Sequence, residues 1–399
     1  MSLDLTKVAS QVVGMVTRLK AGVEGRRERL NSALDVLHDK AADIDNLKRK
    51  IASSKTTWLV AGLVDGLDRH YPAPPPPAEF TVVATDGSHI DVDRHRSTRC
   101  YLINIGSVSL HYGADPDAVL GSSPVLYASD EDLVITPDEG RGREQLVEGA
   151  LLGIKRSVEE CRRLTELAAG LPSGSSALGL IDGSLILWGL EAYPEFVTEA
   201  LLDRGFLVCL DGMRRLNKDR QLALASYISF PRSTDVVNAL KVMVCPHDPL
   251  DTDRHCPDCE KRECEMVAGV RDSELFSSFL NQGERSALFA SQSSIVRKRY
   301  GGNSVFFFYL KVDDEIARVE IPQWVAGEAG LLNLTHSLVL DQCRRGQGYP
   351  VALSEAHEQA VVTAADRENF WQLVESSLVE AHLPSPSSAK SRSKKTRWV

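Results

Sequence analysis

Apolar residues return every seven positions along the first fifty residues: Val16, Val23, Leu30, Leu37, Ile44 and Ile51. Leu19, Ala33, Leu34, Ala41 and Leu47 widen the stripe, and charged runs such as GRRER and KRK fill the other faces. A repeat sustained at that period predicts a long helix of coiled-coil or docking type, placed to meet a second copy, a partner or its own domain. Residues 58–67 are apolar enough to pack on the main body. The run PAPPPPAE then removes backbone donors and predicts a stiff linker, which sets residues 1–75 apart as an N-terminal helical arm.

Beyond the linker the period changes. FTVVAT, CYLINIGSVSLHYG, ALGLIDGSLILW, FLVCL, KVMVC and VFFFYLKV read as strands, and residues 143–169, 328–343 and 358–381 read as helices. Residues 76–382 are therefore expected to form one mixed α/β domain. The end of the chain, residues 383–399, holds PSPSSAKSRSKKTRWV, with five basic residues and no acidic one, and is expected to be a disordered basic tail.

Composition narrows the function classes. The 399 residues carry 46 basic and 55 acidic side chains, a net charge of −9. That excludes a wholly basic surface but not a local groove for nucleic acid. No stretch approaches the roughly 18 apolar residues of a membrane span. The start, MSLDLTKVAS, lacks the basic-then-apolar layout of a secretory signal. The expectation is a cytoplasmic protein outside the membrane. Four of the eight cysteines fall in residues 245–264: Cys245, then Cys256 and Cys259 as C-x2-C, then Cys264. In a reducing compartment this set reads as tetrahedral structural Zn²⁺, with free thiols or an iron–sulfur cluster as the other readings. Cys100, Cys161, Cys209 and Cys343 lie in apolar stretches and read as buried thiols.

One motif occurs twice. Val82–Thr85 runs into Asp86-Gly87-Ser88, and Leu178–Ile181 runs into Asp182-Gly183-Ser184. Asp-Gly is common turn punctuation. A carboxylate at the end of an apolar strand, however, needs a cation, a donor cluster or a metal. If the two strands are neighbours, the two carboxylates converge, as hard divalent cations require. A third carboxylate would come from the intervening helix, which offers Glu144, Glu148, Glu159, Glu160 and Glu166. Near the end, GYPVALSEAH places Tyr349 in a Tyr-Pro turn that leads into a short helix carrying His357. Lys218, Arg220, Arg232, Arg285, Lys298 and Arg299 are the basic residues available for phosphate contact, or are plain solvated charges.

ATDGSHI, INIGSVSLHYG, LIDGSLILW, RVEIPQWVA and GYPVALSEAH, in this order over residues 80–365, resemble the NurA family of nucleases, which process DNA ends with the hexameric HerA translocase. The resemblance implies an RNase H-like mixed sheet with flanking helices. It also implies a Mn²⁺-dependent site, with Mg²⁺ as the alternative ion. The family's aspartates fall on Asp86 and Asp182, and its late tyrosine and histidine on Tyr349 and His357. Its helix glutamate falls on Glu160, with Glu159 beside it. Asp86 would bridge the metals, Asp182, Glu160 and His357 would complete their shell, and Tyr349 would orient substrate or water. SYISFPRS also resembles family sequence and singles out Arg232 for DNA contact. The implied activity is a DNA nuclease of 5′→3′ exonuclease and single-strand endonuclease type, a homodimer working with a HerA-type ATPase. The competing readings are a non-catalytic DNA- or partner-binding subunit, and a nuclease acting on RNA or a hybrid.

Overall fold

The computed structural model describes residues 3–40, 43–93, 98–138 and 143–383. The chain divides into two compact units. One comprises Met1–Pro72, Ser229–Ser294 and Phe306–Val319; the other comprises Ala73–Ile228, Ile295–Val305 and Glu320–Val399. The division thus falls at Pro72–Ala73, within the proline-rich run. Two later segments, which the sequence assigned to a single domain over 76–382, group with the N-terminal arm.

In the first unit the heptad stripe lies on two helices, Leu5–Lys40 and Ile44–Ser53. The stripe is used unevenly. Ala33, Val36, Leu37 and Leu47 are buried in a core with Val236, Val237, Leu240, Phe276, Phe289, Phe307 and Tyr309. Val12, Val16, Leu19 and Val23, on the N-terminal half, are exposed. KVMVC, read as a strand, instead ends the helix Asp235–Val244. Val236, Val237 and Leu240 are buried at helical spacing, and the Asp272 carboxylate accepts from the first-turn N–H groups of Val236 and Val237 at 3.1 and 2.9 Å. VFFFYLKV is a strand, Val305–Val312, as expected.

The second unit holds five neighbouring strands of a larger mixed sheet. Its strands are β1 (Phe80–Ile90), β2 (Tyr101–Tyr112), β3 (Asp117–Tyr127), β4 (Ser176–Asp182) and β5 (Gln221–Ile228). Their order is β3-β2-β1-β4-β5. β1 pairs antiparallel with β2, and β2 with β3; β1 pairs parallel with β4, and β4 with β5. This order and these directions are those of the RNase H-like arrangement. Parallel neighbours need a long crossover, and helix α1 (Ala150–Ala169) lies on the path into β4. β4 is buried along Ala177–Ile181 and reads as a continuous apolar run. α2 (Ala329–Arg345) and α3 (Val351–Ala360) follow, with a further helix, Ala364–Glu380, begun by a Thr363 capping box.

Several elements differ from the sequence reading. FLVCL is helical, spanning the junction of Glu199–Phe206 and Leu207–Leu216, because Leu202, Phe206, Cys209, Leu210 and Met213 are buried on one helical face. In ALGLIDGSLILW the strand stops at Asp182, where Gly183 turns to φ +90°. The helix read from residue 143 begins only at Ala150, after Gly149 at φ +58°. The helix read at 358–381 is two helices. Strands Asp117–Tyr127, Gln221–Ile228 and Glu315–Pro322 were not foreseen. The basic tail, from residue 384 on, lies outside the described residues. Among the described residues no helix is long and apolar enough to cross a membrane.

Candidate active site

The parallel register decides where the two aspartates go. Thr85 pairs with Ile181 as the last parallel pair of β1 and β4. Asp86 and Asp182 follow one position further along each strand, side by side at the carboxyl end of the pair, where open α/β sheets hold their ligands. The third carboxylate comes from α1. Thr85 Oγ1 donates to the Glu160 carbonyl oxygen at 3.0 Å, which fixes the middle of the helix over β1. Glu160 is then turned inward and only 5% exposed, whereas Glu159 pairs outward with Arg162 at 2.7 Å.

The glycines of the repeated Asp-Gly-Ser motif serve different ends. A Cβ on Gly87 would lie 2.5 Å from Glu160 Oε1 and 2.9 Å from Arg156 Cγ, so glycine supplies room there. At Gly183 a Cβ meets nothing within 4 Å, and it is the φ of +90° that favours glycine.

His357 reaches the site because α3 is pressed onto β1 and β2. Ser88 Oγ donates to the Ala360 carbonyl, and Asn104 Nδ2 donates to the same oxygen at 2.9 Å and to that of Gln359 at 3.2 Å. His357 Nδ1 then lies 2.7 Å from Asp86 Oδ2. In the tautomer with its proton on Nδ1, the ring donates to Asp86 and keeps the Nε2 lone pair for another ligand. Tyr349 sits in the turn after α2, where Gln347 and Gly348 both take positive φ. Its hydroxyl donates to Asp182, and its ring meets Tyr227 edge-on at 5.5 Å.

Electrostatics mark this as a crowded anionic site. Burial pushes Glu160 up to about 7 against the opposing Arg156 guanidinium, and the charges of Asp86 and Asp182 add to the rise. Asp182 is raised by burial and then by Asp86, with the Tyr349 hydroxyl and the Gly183 N–H opposing. Burial and the Asp182 charge hold the Tyr349 phenol far above its ordinary value, so it is a proton donor and not a base. Arg156 Nε stands 2.9 Å from Glu160 Oε1, but off the direction a hydrogen bond needs.

Three carboxylates at one sheet end are donors that Mn²⁺ or Mg²⁺ accepts, while the imidazole suits a transition metal better than Mg²⁺. The buried Glu160 Oε1 has no well-directed hydrogen bond among the described residues, but the Arg156 guanidinium faces it at 2.9 Å and would have to share it with an ion. As the side chains stand, no three His, Cys, Asp or Glu groups among the described residues are drawn together closely enough to hold an ion. Asp86 is engaged by His357, Asp182 by Tyr349, and Glu160 by the Arg156 charge.

Two contributors were not foreseen from the sequence. Glu320, inside RVEIPQWVA, is buried and accepts from Ser184 Oγ at 2.8 Å and from the Leu185 N–H at 2.9 Å, which holds the second Asp-Gly-Ser loop. Arg156 could have been found, since it lies four residues before Glu160 on the same helical face.

Half of the basic residues read as phosphate contacts have other partners. Arg220 donates to the Ala168 and Leu171 carbonyls, both at 2.8 Å, and pairs with Asp219. Arg285 is buried over the Tyr71 ring, and Arg299 is held by Glu195 and by Asp203 at 2.7 Å. Lys218, Arg232 and Lys298 are exposed. Arg232 belongs to the first unit, the carboxylates to the second. Cys245, Cys256, Cys259 and Cys264 all lie in the first unit, with Cys245 buried, Cys256 exposed and the other two half-buried. Cys100, Cys161, Cys209 and Cys343 are buried.

Among solved structures, the Argonaute of A. aeolicus is similar at a TM-score of 0.30 and 11% identity, over 71% of this chain and 29% of that one, too distant to speak to function. No curated protein matches. The family model described as the NurA domain matches residues 80–362, from the first residue of β1 to just past α3, and the chain therefore belongs to the NurA family.

Proposed function

We propose that the chain is a metal-dependent DNA nuclease, cutting by hydrolysis of the phosphodiester bond. The observation that carries this reading is the parallel register that sets Asp86 beside Asp182, with Glu160 and His357 brought onto them from two helices. Asp86, Asp182, Glu160 and His357 would hold Mn²⁺, with Mg²⁺ as the alternative. The ion supplies the Lewis acidity that phosphodiester hydrolysis needs.

The chain's own groups do the rest. Tyr349 keeps its proton and gives it in a hydrogen bond to Asp182, which fixes that carboxylate's direction. His357 does the same for Asp86 through Nδ1. Arg156 offsets the charge on Glu160, and Glu320 steadies the loop after Asp182. A cleft of about 350 Å³, lined by Arg156, Ser157, Glu160, Asp182, Ser184 and Trp188 among others, gives a strand room to approach.

Family membership supports DNA as the substrate, end processing of 5′→3′ exonuclease and single-strand endonuclease type, a HerA-type hexameric ATPase as partner, a homodimeric state and a cytoplasmic setting. The test is cleavage of end-labelled single- and double-stranded DNA with Mn²⁺, Mg²⁺ or EDTA, alone and with the cognate ATPase. Mn²⁺-dependent products that vanish in Asp86→Ala and Asp182→Ala, with folding intact by circular dichroism, are expected. Wild-type cleavage by either variant would overturn the assignment.

A further inference from the structure

Trp188 has no part in the carboxylate site, yet it lines the same cleft as Glu160 and Asp182. It is 42% exposed. The ring is also held. Trp188 Nε1 donates to Ser184 Oγ at 3.2 Å, the Ile186 N–H donates to the same oxygen at 3.0 Å, and that hydroxyl gives its own proton to Glu320 Oε2 at 2.8 Å. The hydroxyl's donor and both its lone pairs are therefore engaged, and through them the indole is tied to a buried carboxylate. Trp188 also opens the short 3-10 turn Trp188–Ala192, which limits how far its backbone can swing. An aromatic ring fixed at its edge, with its face open to the cleft, is a surface against which a planar group can lie.

We propose that Trp188 is a stacking platform for one unpaired base of a single-stranded DNA lying in this cleft, next to the phosphodiester presented to Asp86 and Asp182. The inference rests on the nuclease reading and adds a substrate-positioning residue to it. An indole face stacks on any base, so the contact favours single strands over duplex without reading sequence. Arg156, 31% exposed at its side chain and in the same cleft, supplies a cation near the adjoining phosphate.

The test is binding, measured in EDTA by fluorescence anisotropy of a labelled single-stranded oligonucleotide with the full chain, so that cleavage plays no part. Abasic sites are placed at successive positions. The expected result is a roughly ten-fold loss of wild-type affinity at one abasic position. Trp188→Ala should bind intact and abasic strands equally weakly, and Trp188→Phe should retain most of the affinity. Duplex binding should be the same in the wild type and in both variants. Trp188→Ala binding the intact strand as tightly as wild type, or no abasic position mattering to the wild type, overturns the stacking role and leaves the nuclease reading standing. A wild type that neither binds nor cuts any DNA defeats both.

Discussion

Gly106 lies directly across the β1–β2 ladder from Asp86, and the backbone of α3 fills the space a side chain at 106 would take. A Cβ there would collide with the Ala356 carbonyl and the Ala360 nitrogen, neither of which is a flexible side-chain end. The closeness of α3 to the sheet, and so the reach of His357 to Asp86, depends on that missing methyl.

Gly106→Ala is therefore expected to push α3 outward, at about 1–3 kcal/mol in stability, and to remove most cleavage. Gly121→Ala is the matched control on the neighbouring strand, since its Cβ would meet only Ser107 Oγ at 3.4 Å. Melting temperatures and cleavage rates of the two variants check this. Equal behaviour would show that α3 can yield.

Tyr349→Phe removes the hydroxyl that donates to Asp182 and keeps the ring against Tyr227. Losing such a supporting hydrogen bond should lower kcat about ten-fold. The phenol stays protonated throughout the working range, so the alkaline side of the pH–rate profile should not move. A shifted alkaline limb would make the tyrosine a base and contradict the geometry.

Burial, followed by the charge of Asp235, lifts the Asp272 carboxyl from 3.8 to about 6, although Tyr309 donates to it at 2.6 Å. A carboxyl whose folded value lies above its unfolded value holds its proton more tightly when folded. Its contribution is complete below 3.8 and is lost as pH rises through 6, on the order of 3 kcal/mol. Urea unfolding from pH 4 to 7 should show the wild type losing that increment. Asp272→Asn should lack the slope, while being weaker throughout because an amide cannot accept from the Val236 and Val237 N–H groups and from Tyr309 together. Parallel curves would place the titration elsewhere.

Much of the candidate site's geometry could be read in the sequence because strand-end chemistry is local. Asp86 and Asp182 each follow an apolar run, and the Tyr-Pro turn before His357 does open a helix, Val351–Ala360. FLVCL and KVMVC misled because a short apolar run has no period of its own; only the buried neighbours on the same helical face settle it. β3 was missed because Gly121, Ser122, Ser123 and Pro124 interrupt its apolar pattern, which an edge strand tolerates. Glu320 was invisible for a different reason. Its partner Ser184 lies 136 residues away, and no local pattern encodes that hydrogen bond. The first unit, assembled from three separate chain segments, is likewise a product of long-range packing.

The four clustered thiols give a direct measurement. Cys256 lies within electrostatic reach of Cys245 and Cys259, and Cys264 of all three. The surrounding segment buries little besides Cys245, Leu250, Thr252 and Val267, so a cross-link would compensate for its small core. One zinc per chain is expected in metal analysis of protein purified without chelator, lost in a Cys256→Ser, Cys259→Ser double variant. Metal-free wild-type protein, or a disulfide mapped by mass spectrometry, would remove zinc from the reading.

The N-terminal helix separates two roles along one stripe. Leu37 is buried in the first unit's core, while Leu19 and Val23, on the same stripe, are 60% and 61% exposed. A seven-residue repeat is self-complementary, so the exposed half suits a second copy of the chain. Leu19→Glu with Val23→Glu should lower the assembled mass seen by light scattering, while stability changes by no more than about 0.5 kcal/mol. Leu37→Glu should instead unfold the unit, because it buries a charge without a partner. Unchanged mass in the double variant would show that this helix makes no contact between copies. Deletion of the whole arm could not decide the matter, since it would take Leu37 and Leu47 out of the core as well.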